Sequence, residues 1–302
     1  MVNKNKKLRN NKKLWHSQNF LHSTKLVSDL LQKSSINKDD TVIEIGPGKG
    51  IITKQLAKQC KKVYAIEYDF CLYEKLKHLF GDTKNVEIIY GDFLKTDIPS
   101  NDKYKVFSSI PYNITAEILS RLTSVSNIPE DSYIILQEEA ARKYAGDPYN
   151  KESMRSLLLK PYFDLKIIYR LKNTDFTPVP KVNSVMLHIE KRSNALVEIQ
   201  ETDLYKDFIS YIFKMKGRNL RERLKYIFSN EQLKRLSKNI EFKITDSPTD
   251  LNFKQWLKVF QYFIIGVSSE KQKLVYGCYS KFLNEQKKIN KIHRNRKSYN
   301  KL

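Results

Sequence analysis

Short apolar runs alternate with helical patterns through the first two thirds of the chain. The stretch 24–32 places Val27 and Leu31 on one helical face, whereas 41–45 is a short β-rich run. Strands that alternate with helices are typical of crossover units, in which a mainly parallel sheet is covered by helices on both faces. The pattern therefore predicts an α/β fold. Its predicted strands are residues 41–45, 63–67, 86–90, 105–109, 133–137, 165–170 and 184–190.

Beyond residue 192 the apolar positions recur at the helical period of about 3.6 residues. This pattern predicts a small all-α domain over 193–267, after an α/β domain over 15–192. A basic arm over 1–14 and a basic extension over 268–302, partly helical around 275–283, complete the predicted organisation. The clearest helical stretches of the second domain are residues 205–212, 220–228 and 253–264.

The charge of the chain indicates a polyanionic partner. Its 302 residues carry a formal net charge of +22. Residues 1–13 hold six Lys or Arg and no acid, and residues 281–302 hold eight against the single acid Glu285. Because like charges repel one another, we expect both ends to be mobile arms. Nucleic acid is the expected partner of such a chain, and basic tails that only improve solubility are the alternative.

Several classes of protein are not indicated. Cys60, Cys71 and Cys278 show no CxxC spacing, and the five histidines show no HxxxH or HxH spacing, so neither a disulfide framework nor a metal site is predicted. No apolar core follows the N-terminal charges, as a secretory signal would require. No apolar run approaches the roughly 18 residues of a membrane helix. We expect the protein to act in the cytoplasm, away from membranes.

A glycine loop follows the first predicted sheet strand, in the sequence TVIEIGPGKG over 41–50. Ligands of open parallel sheets bind at the carboxyl ends of the strands. Gly46, Gly48 and Gly50 let the backbone turn sharply and let a ligand approach without meeting a Cβ. The spacing differs from the dinucleotide motif GxGxxG, because Ile51 stands at the third glycine position, and it is no GxxxxGK[ST] phosphate loop.

Two acids stand at the ends of the next two strands. Glu67 can accept hydrogen bonds from a ribose diol, and Asp92 can reach an adenine amino group. The set predicts an adenosine-bearing cofactor without a pyrophosphate, and S-adenosylmethionine fits. Its sulfonium cation also suits a loop edged by Glu44 and Asp92. The alternative is an ordinary glycine turn with two exposed acids.

A second motif, Ser109-Ile110-Pro111-Tyr112, follows the fourth strand. The exocyclic amine of adenine is a poor nucleophile, and acceptors placed at its N–H groups favour the tetrahedral geometry in which it attacks a methyl group. Tyr112 can stack on a base that is flipped out of its nucleic acid, and Phe176 is a candidate second wall. A Pro-Tyr turn that packs the core and a core aromatic at 176 remain the alternatives.

Six motifs occur in order and resemble those of the ribosomal RNA adenine-N6 methyltransferases. Within that group the resemblance is to the erythromycin-resistance (Erm) type, which modifies an adenine of 23S rRNA. It covers roughly residues 15–265. The motifs are SQNFL (17–21), EIGPGKG (44–50), IEYD (66–69), GDFL (91–94), SIPYN (109–113) and FTPVPKVNSV (176–185).

The resemblance implies a Rossmann-like class I methyltransferase sheet followed by a small all-α domain. It also implies a monomeric enzyme that uses S-adenosylmethionine, acts on protein-poor or precursor 23S rRNA, and confers resistance to macrolides, lincosamides and streptogramin B. The base-holding aromatics of the family fall on Tyr112 and Phe176. Its cofactor contacts fall on Asn19, Leu21, Gly46, Glu67, Asp92 and Ser109, with Gln18 in the same segment.

One position departs from the pattern, because the first residue of the tetrad is often Asn in this group and is Ser109 here. The hydroxyl is shorter, so the backbone carbonyls of Ser109 and Ile110 become the expected acceptors for the adenine amine. The related small-subunit rRNA dimethyladenosine transferases, which usually carry Asn-Leu-Pro-Tyr, are the first alternative. A catalytically idle nucleic-acid-binding protein on the same fold and a DNA adenine methyltransferase are the others.

Overall fold

The computed structural model describes residues 19–98, 103–124 and 128–288. It divides the chain into two compact units, Met1–Leu196 and Val197–Leu302. The boundary that the sequence predicted, at 192/193, lies a few residues before this division. Gln18 and the predicted N-terminal arm lie outside the described residues.

The first unit is built on a seven-stranded sheet with the order β4-β3-β2-β5-β6-β9-β7. Its first five strands are parallel, whereas β9 runs antiparallel to both β6 and β7. The sheet is therefore mixed at one edge, as is common in large α/β sheets. The strands are β2 (Thr41–Ile45), β3 (Lys62–Glu67), β4 (Val86–Tyr90), β5 (Lys105–Ser109), β6 (Asp131–Gln137), β7 (Phe163–Leu171) and β9 (Ser184–Lys191).

Helices cover both faces of this sheet, and successive residues of its strands enter two separate cores. Val42 packs into one core cluster and Ile43 into the other, and both are fully buried. This alternation explains why the central strands are apolar on both sides. The helices are α1 (Thr24–Gln32), α2 (Ile51–Gln59), α3 (Phe70–Phe80), α4 (Thr115–Ser124), α5 (Glu138–Ala145) and α6 (Met154–Leu159).

A small antiparallel ribbon joins two distant segments of the first unit. Its strands are β1 (Phe20–Leu21) and β8 (Phe176–Thr177), with Leu21 opposite Phe176. Strands of two residues carry no periodicity, so the apolar pattern did not predict them. The ribbon brings the segment around Asn19 beside the main sheet.

The second unit is helical, as the period of its apolar residues predicts. Buried aromatic rings of α7 and α10 form its core, for example Phe208 and Phe263, whose ring centres are 4.6 Å apart. The helices of this unit are α7 (Thr202–Lys214), α8 (Leu220–Leu224), α9 (Asn230–Ile240), α10 (Phe253–Gly266), α11 (Ser269–Gln272) and α12 (Cys278–Lys288).

Two expectations about this unit need correction. The helix predicted over 220–228 ends at Leu224, because the next residues form a turn before Ser229 caps α9. The segment after residue 267, expected to be an extension, packs on the unit as far as α12. Asp207 accepts hydrogen bonds from the N–H groups of Gly277 and Tyr279, at 2.8 and 2.9 Å, which fixes the start of α12.

Candidate functional site

A crevice opens where the strand order reverses, between the carboxyl ends of β2 and β5. The chain runs outward from β2 through β3 to β4 on one side, and from β5 to β6 on the other. Open parallel sheets bind their ligands at such switch points. The crevice is lined by Asn19, Phe20, Leu21, Gly46, Pro47, Lys49, Ile51, Ile52, Ser109, Ile110, Pro111 and Tyr112. Three segments that the sequence analysis considered separately thus meet at one site.

The glycines of the loop after β2 have different neighbours. Gly46 has a φ of +66° in the left-handed region, and a Cβ on it would point to Pro111 Cδ at 4.0 Å. Its bare backbone faces the crevice. A Cβ on Gly48 would lie only 2.5 Å from Cε1 of Phe20. Gly48 therefore makes room for an aromatic ring of the protein, and its direct contact with a cofactor stays a prediction.

Glu67 joins the glycine loop to the end of β3. Glu67 is 2% exposed. One carboxylate oxygen accepts the N–H of Gly48 at 3.1 Å and the other accepts the N–H of Asp69 at 2.8 Å. Burial raises the pKa of Glu67, and these backbone hydrogen bonds partly offset the rise. These bonds show that Glu67 holds two loops together, while its contact with a ribose diol stays a prediction.

Glu44 is buried in the protein and does not line the crevice. Its side chain is 1% exposed and accepts a hydrogen bond from Thr53 Oγ1 at 2.6 Å. Burial raises the pKa of Glu44 to about 8, which disfavours its charged form. The expectation that Glu44 faces a sulfonium cation is therefore wrong, and its bond to Thr53 instead ties β2 to α2.

Asp92 lies beside Glu67 at the end of the neighbouring strand. The N–H of Gly91 donates to the backbone carbonyl of Glu67 at 2.9 Å, which aligns the two strand ends. Asp92 is half-buried, and its Oδ1 accepts the N–H of Leu94 at 3.0 Å. The described contacts of Asp92 are thus with its own loop, and an adenine contact stays a prediction.

Arg121 of α4 clamps this loop, a role the sequence analysis missed. Its guanidinium donates to the carbonyl oxygens of Leu94 and Thr96, at 2.7 and 2.6 Å. It also lies 5.3 Å from the centre of the Phe93 ring, within the range of a cation–π contact. Because α4 follows the tetrad directly, Arg121 connects the loop of Asp92 to the opposite wall of the crevice.

The tetrad forms that opposite wall. Ser109 ends β5 and is half-buried, and the N–H of buried Ile110 donates to the carbonyl of Ile135 at 3.1 Å. Pro111 then turns the chain, and Tyr112 begins a short 3₁₀ turn, Tyr112–Ile114. Ser109 and Tyr112 therefore line the same crevice.

A long-range hydrogen bond orients the Tyr112 ring. Its hydroxyl lies 2.6 Å from Oγ of Ser184, the buried first residue of β9. Burial raises the pKa of Tyr112, while the bond to Ser184 acts in the opposite direction. Ser184 belongs to the motif FTPVPKVNSV, which was the only signal in the sequence for its role. Anchored at its far end, the half-buried ring can present a flat surface to a base.

The segment around Asn19 closes the crevice on its third side. Asn19 and Phe20 are half-buried, and Leu21 is buried. The Phe20 ring lies against Gly48, and the Lys49 ammonium is 5.2 Å from its centre. Phe20 was not among the predicted site residues, although it stands inside the motif SQNFL.

Phe176 lies in the core rather than in the crevice. It is 1% exposed and packs in the cluster that contains Leu21 and Met186. A ring so covered has no free face for a base in this arrangement. Phe176 is thus a core aromatic, as the alternative expected. The second wall predicted at Phe176 is not present in the structure.

These residues fit S-adenosylmethionine as the bound group. Gly46 offers a backbone without a side chain, and Glu67 offers buried acceptors one strand away. Gly46, Asn19 and Leu21 would contact the cofactor, with Glu67 and Asp92 on the side of its adenosine. When bound, the cofactor supplies an activated methyl group.

The described residues contain neither a metal centre nor a membrane helix. No three or more of their His, Cys, Asp and Glu side chains stand together as ligands for a metal ion would. None of the helices in this part of the chain has the length and apolar content needed to cross a bilayer.

A family model and several known proteins match most of the chain. The family model described as ribosomal RNA adenine dimethylase matches residues 9–264. The chain is 32% identical to an rRNA adenine N-6-methyltransferase of Bacteroides fragilis over 245 residues, which cover 80% of this chain and 90% of the relative. It is also 32% identical to a ribosomal RNA small subunit methyltransferase A of Clostridium botulinum over 220 residues, 71% of this chain and 80% of the relative.

Two solved structures resemble the fold. The 23S rRNA methyltransferase ErmE superimposes with a TM-score of 0.75 at 26% identity, over 82% of this chain and all of ErmE. A dimethyladenosine transferase of Plasmodium falciparum superimposes with a TM-score of 0.59 at 22% identity, over 88% of this chain and 98% of that one. The second likeness supports the fold alone.

Proposed function

The chain belongs to the ribosomal RNA adenine dimethylase family, and from that premise we propose that it methylates the N6 amine of an adenine in 23S rRNA. Membership makes it an S-adenosylmethionine-dependent rRNA adenine-N6 methyltransferase. The proposal adds the large-subunit RNA, in protein-poor or precursor form, as the substrate. It also adds resistance to macrolides, lincosamides and streptogramin B, because a methylated adenine clashes with these drugs in the exit tunnel.

The observation that carries the proposed chemistry is that one crevice is lined by both the glycine loop and the tetrad. A flipped adenine stacked on Tyr112 has its amine beside the residues that end β5. We propose the backbone carbonyls of Ser109 and Ile110 as its acceptors, with the Ser109 hydroxyl in a secondary role. Acceptors fixed in advance favour the tetrahedral amine, and orientation lowers the barrier by several kcal/mol. The amine loses its proton after the transfer, so no general base is required first.

The choice of 23S rRNA is supported by the tetrad and by one structural likeness. The tetrad Ser109-Ile110-Pro111-Tyr112 and the motif SQNFL favour the resistance enzymes, since the small-subunit enzymes usually carry Asn-Leu-Pro-Tyr, with Leu where Ile110 stands here. The fold also superimposes on ErmE with a TM-score of 0.75. A protein that acts on ribosomal RNA works where ribosomes are, so we propose action in the cytoplasm, as a monomer.

The second candidate substrate is the small-subunit rRNA, with a role in ribosome biogenesis. Relatives of Clostridium botulinum named ribosomal RNA small subunit methyltransferase A are 32% and 33% identical to this chain. These values match that of the Bacteroides relative, so identity alone does not separate the two substrates.

Positive charge in the second unit and at both ends is proposed to hold the RNA backbone. Arg218, Arg221 and Lys225 are exposed, although Lys225 follows α8 rather than lying within it. Each phosphate contact with single-stranded RNA adds about −0.7 to the slope of log K against log salt. We expect deletion of residues 1–13 and 289–302, which spares α12, to make this slope less negative and to weaken RNA binding at low salt. Unchanged binding would remove the arms from the proposal.

Primer extension on both ribosomal RNAs tests the substrate. The gene is expressed in a macrolide-sensitive bacterium beside its Tyr112→Ala variant. We expect a new stop at one adenine of 23S rRNA and macrolide resistance with the wild type, and neither with the variant. A stop confined to 16S rRNA, without resistance, would overturn the proposal in favour of the second candidate.

A further inference from the structure

A cluster of exposed aromatic rings lies at the carboxyl end of β4, the edge strand of the sheet. Phe70, at the start of α3, and Tyr90, at the end of β4, have ring centres 5.5 Å apart and meet edge to face. Tyr73 of α3 contacts both, at 6.2 and 5.4 Å. We refer to Phe70, Tyr73 and Tyr90 as the aromatic cluster.

The cluster leaves much of its ring surface in water. Phe70 is 53% exposed and Tyr90 is 55% exposed, and the neighbouring Tyr68 is 56% exposed. Single exposed apolar side chains are common on protein surfaces, whereas contiguous exposed apolar patches mark interaction or ligand-binding sites. The Lys77 ammonium lies 5.8 Å from the Tyr73 ring and adds a positive charge to the patch.

The position of the cluster relates it to the crevice. Tyr90 is the register partner of Glu67, and Phe70 follows Glu67 by three residues. The cluster therefore lies at the carboxyl ends of the strands, as the crevice does, but beside β3 and β4 rather than between β2 and β5. In the order β4-β3-β2-β5 it is three strand spacings from Ser109, roughly 14 Å at about 4.8 Å each. A few nucleotides of extended RNA cover that distance.

We propose that the aromatic cluster stacks unpaired nucleotides that flank the target adenine. This inference rests on the proposed function, because it takes ribosomal RNA as the substrate. An adenine that leaves its helix for the crevice deprives its neighbours of a stacking partner. Exposed rings with a cation beside them replace that stacking without reading the sequence. The net charge of +22 favours a polyanionic partner for the chain as a whole, and Lys77 places one cation beside these rings.

The test uses the double variant Phe70→Leu with Tyr90→Leu. Leucine keeps apolar bulk but removes the flat ring, and both positions are exposed, so the fold is retained and checked by thermal melting. Tyr276→Leu is the matched control, since Tyr276 is a comparably exposed tyrosine (53%) of the helical unit. Binding is measured by anisotropy with a fragment of whichever rRNA the wild type methylates, carrying 2-aminopurine at single positions beside the target adenine.

We expect the double variant to bind this RNA about tenfold more weakly or worse, because stacking is lost at one or more bases. The slope of log K against log salt should stay at the wild-type value, since no phosphate contact is removed. Quenching of 2-aminopurine at a flanking position should disappear, and affinity for S-adenosylmethionine should be unchanged. The control should match the wild type.

Three results would overturn the inference. RNA affinity within twofold of the wild type would show that the rings do not stack on RNA. An equal loss of S-adenosylmethionine affinity would assign the cluster to the cofactor. Loss of self-association in sedimentation, with RNA binding intact, would assign it to a protein contact. If the wild type methylates 16S rather than 23S rRNA, the probe is a 16S fragment and the same measurements apply. Failure of the proposed 23S substrate is therefore distinguishable from failure of the stacking inference.

Discussion

The two walls of the crevice differ in how firmly the protein holds them. On the side of β2 to β4, the buried carboxylate of Glu67 bonds two backbone N–H groups, and Arg121 clamps the loop of Asp92. On the side of β5, the half-buried ring of Tyr112 is held at its far end by Ser184. We expect the first wall to bind the cofactor and the second to hold the base. Substitutions on the two walls should therefore separate cofactor binding from methyl transfer.

The largest effect is expected from Tyr112→Ala. Without the ring the adenine is no longer held in line, and single-turnover methyl transfer should fall on the order of 100-fold or more. The dissociation constant for S-adenosylmethionine, measured by calorimetry, should stay within twofold of the wild type. Tyr112→Phe is the control that keeps the ring. Equal activity of the alanine variant would remove Tyr112 from the mechanism.

On the cofactor wall, Glu67→Gln should weaken S-adenosylmethionine binding by roughly 10- to 100-fold, the usual effect of losing a charged acceptor. Wild-type affinity should also fall as the pH drops through the raised pKa of Glu67, because the acceptor carboxylate is present only above that pKa. Calorimetry at several pH values checks both statements. In the variant the acid-side loss should be absent, and its persistence would exclude Glu67 as the group responsible.

A smaller effect is expected from Arg121→Leu. The loop of Asp92 loses two hydrogen bonds and a cation–π contact, and affinity for S-adenosylmethionine should fall about tenfold, on the scale of one such bond. Arg192→Leu is the matched control, since Arg192 also donates to a backbone carbonyl, that of Lys160, at the opposite edge of the sheet. An equal loss in both variants would indicate general destabilisation rather than positioning.

The smallest effect is expected from the bond between Tyr112 and Ser184. Ser184→Ala and Tyr112→Phe each remove it while keeping the ring, and each should slow methyl transfer by roughly three- to tenfold, the scale of a neutral hydrogen bond. The double variant should be no slower than either single one, because both remove the same interaction. Effects that multiply would mean that the two hydroxyls act independently.

The apolar pattern predicted the sheet strands closely, and the reason is burial. Strands 41–45 and 105–109 have the predicted bounds because nearly all of their residues are buried. The edge strand 86–90 also has the predicted bounds, although Glu87 and Tyr90 are exposed, because its apolar run ends at Gly91. The direction of β9 and the ribbon of β1 with β8 were not predictable in this way. Pairing partners are set by long-range packing, which a local pattern does not contain.

The sequence predicted those site residues that stand directly at the end of a strand. Glu67 and Tyr112 are of this kind, and the structure puts both beside the reversal of strand order. Ser184 and Arg121 act through contacts with residues far away in the chain, so only the folded structure reveals them. Phe176 shows the converse, because its motif suggested an exposed wall while its ribbon carries it into the core.

A crystal structure with S-adenosylhomocysteine and an adenine-bearing RNA fragment tests the central claim most directly. We predict the cofactor in the crevice between Gly46 and Pro111, its ribose on Glu67, and the adenine flat against Tyr112. A cofactor bound elsewhere, or a crevice filled by protein side chains, would contradict the account.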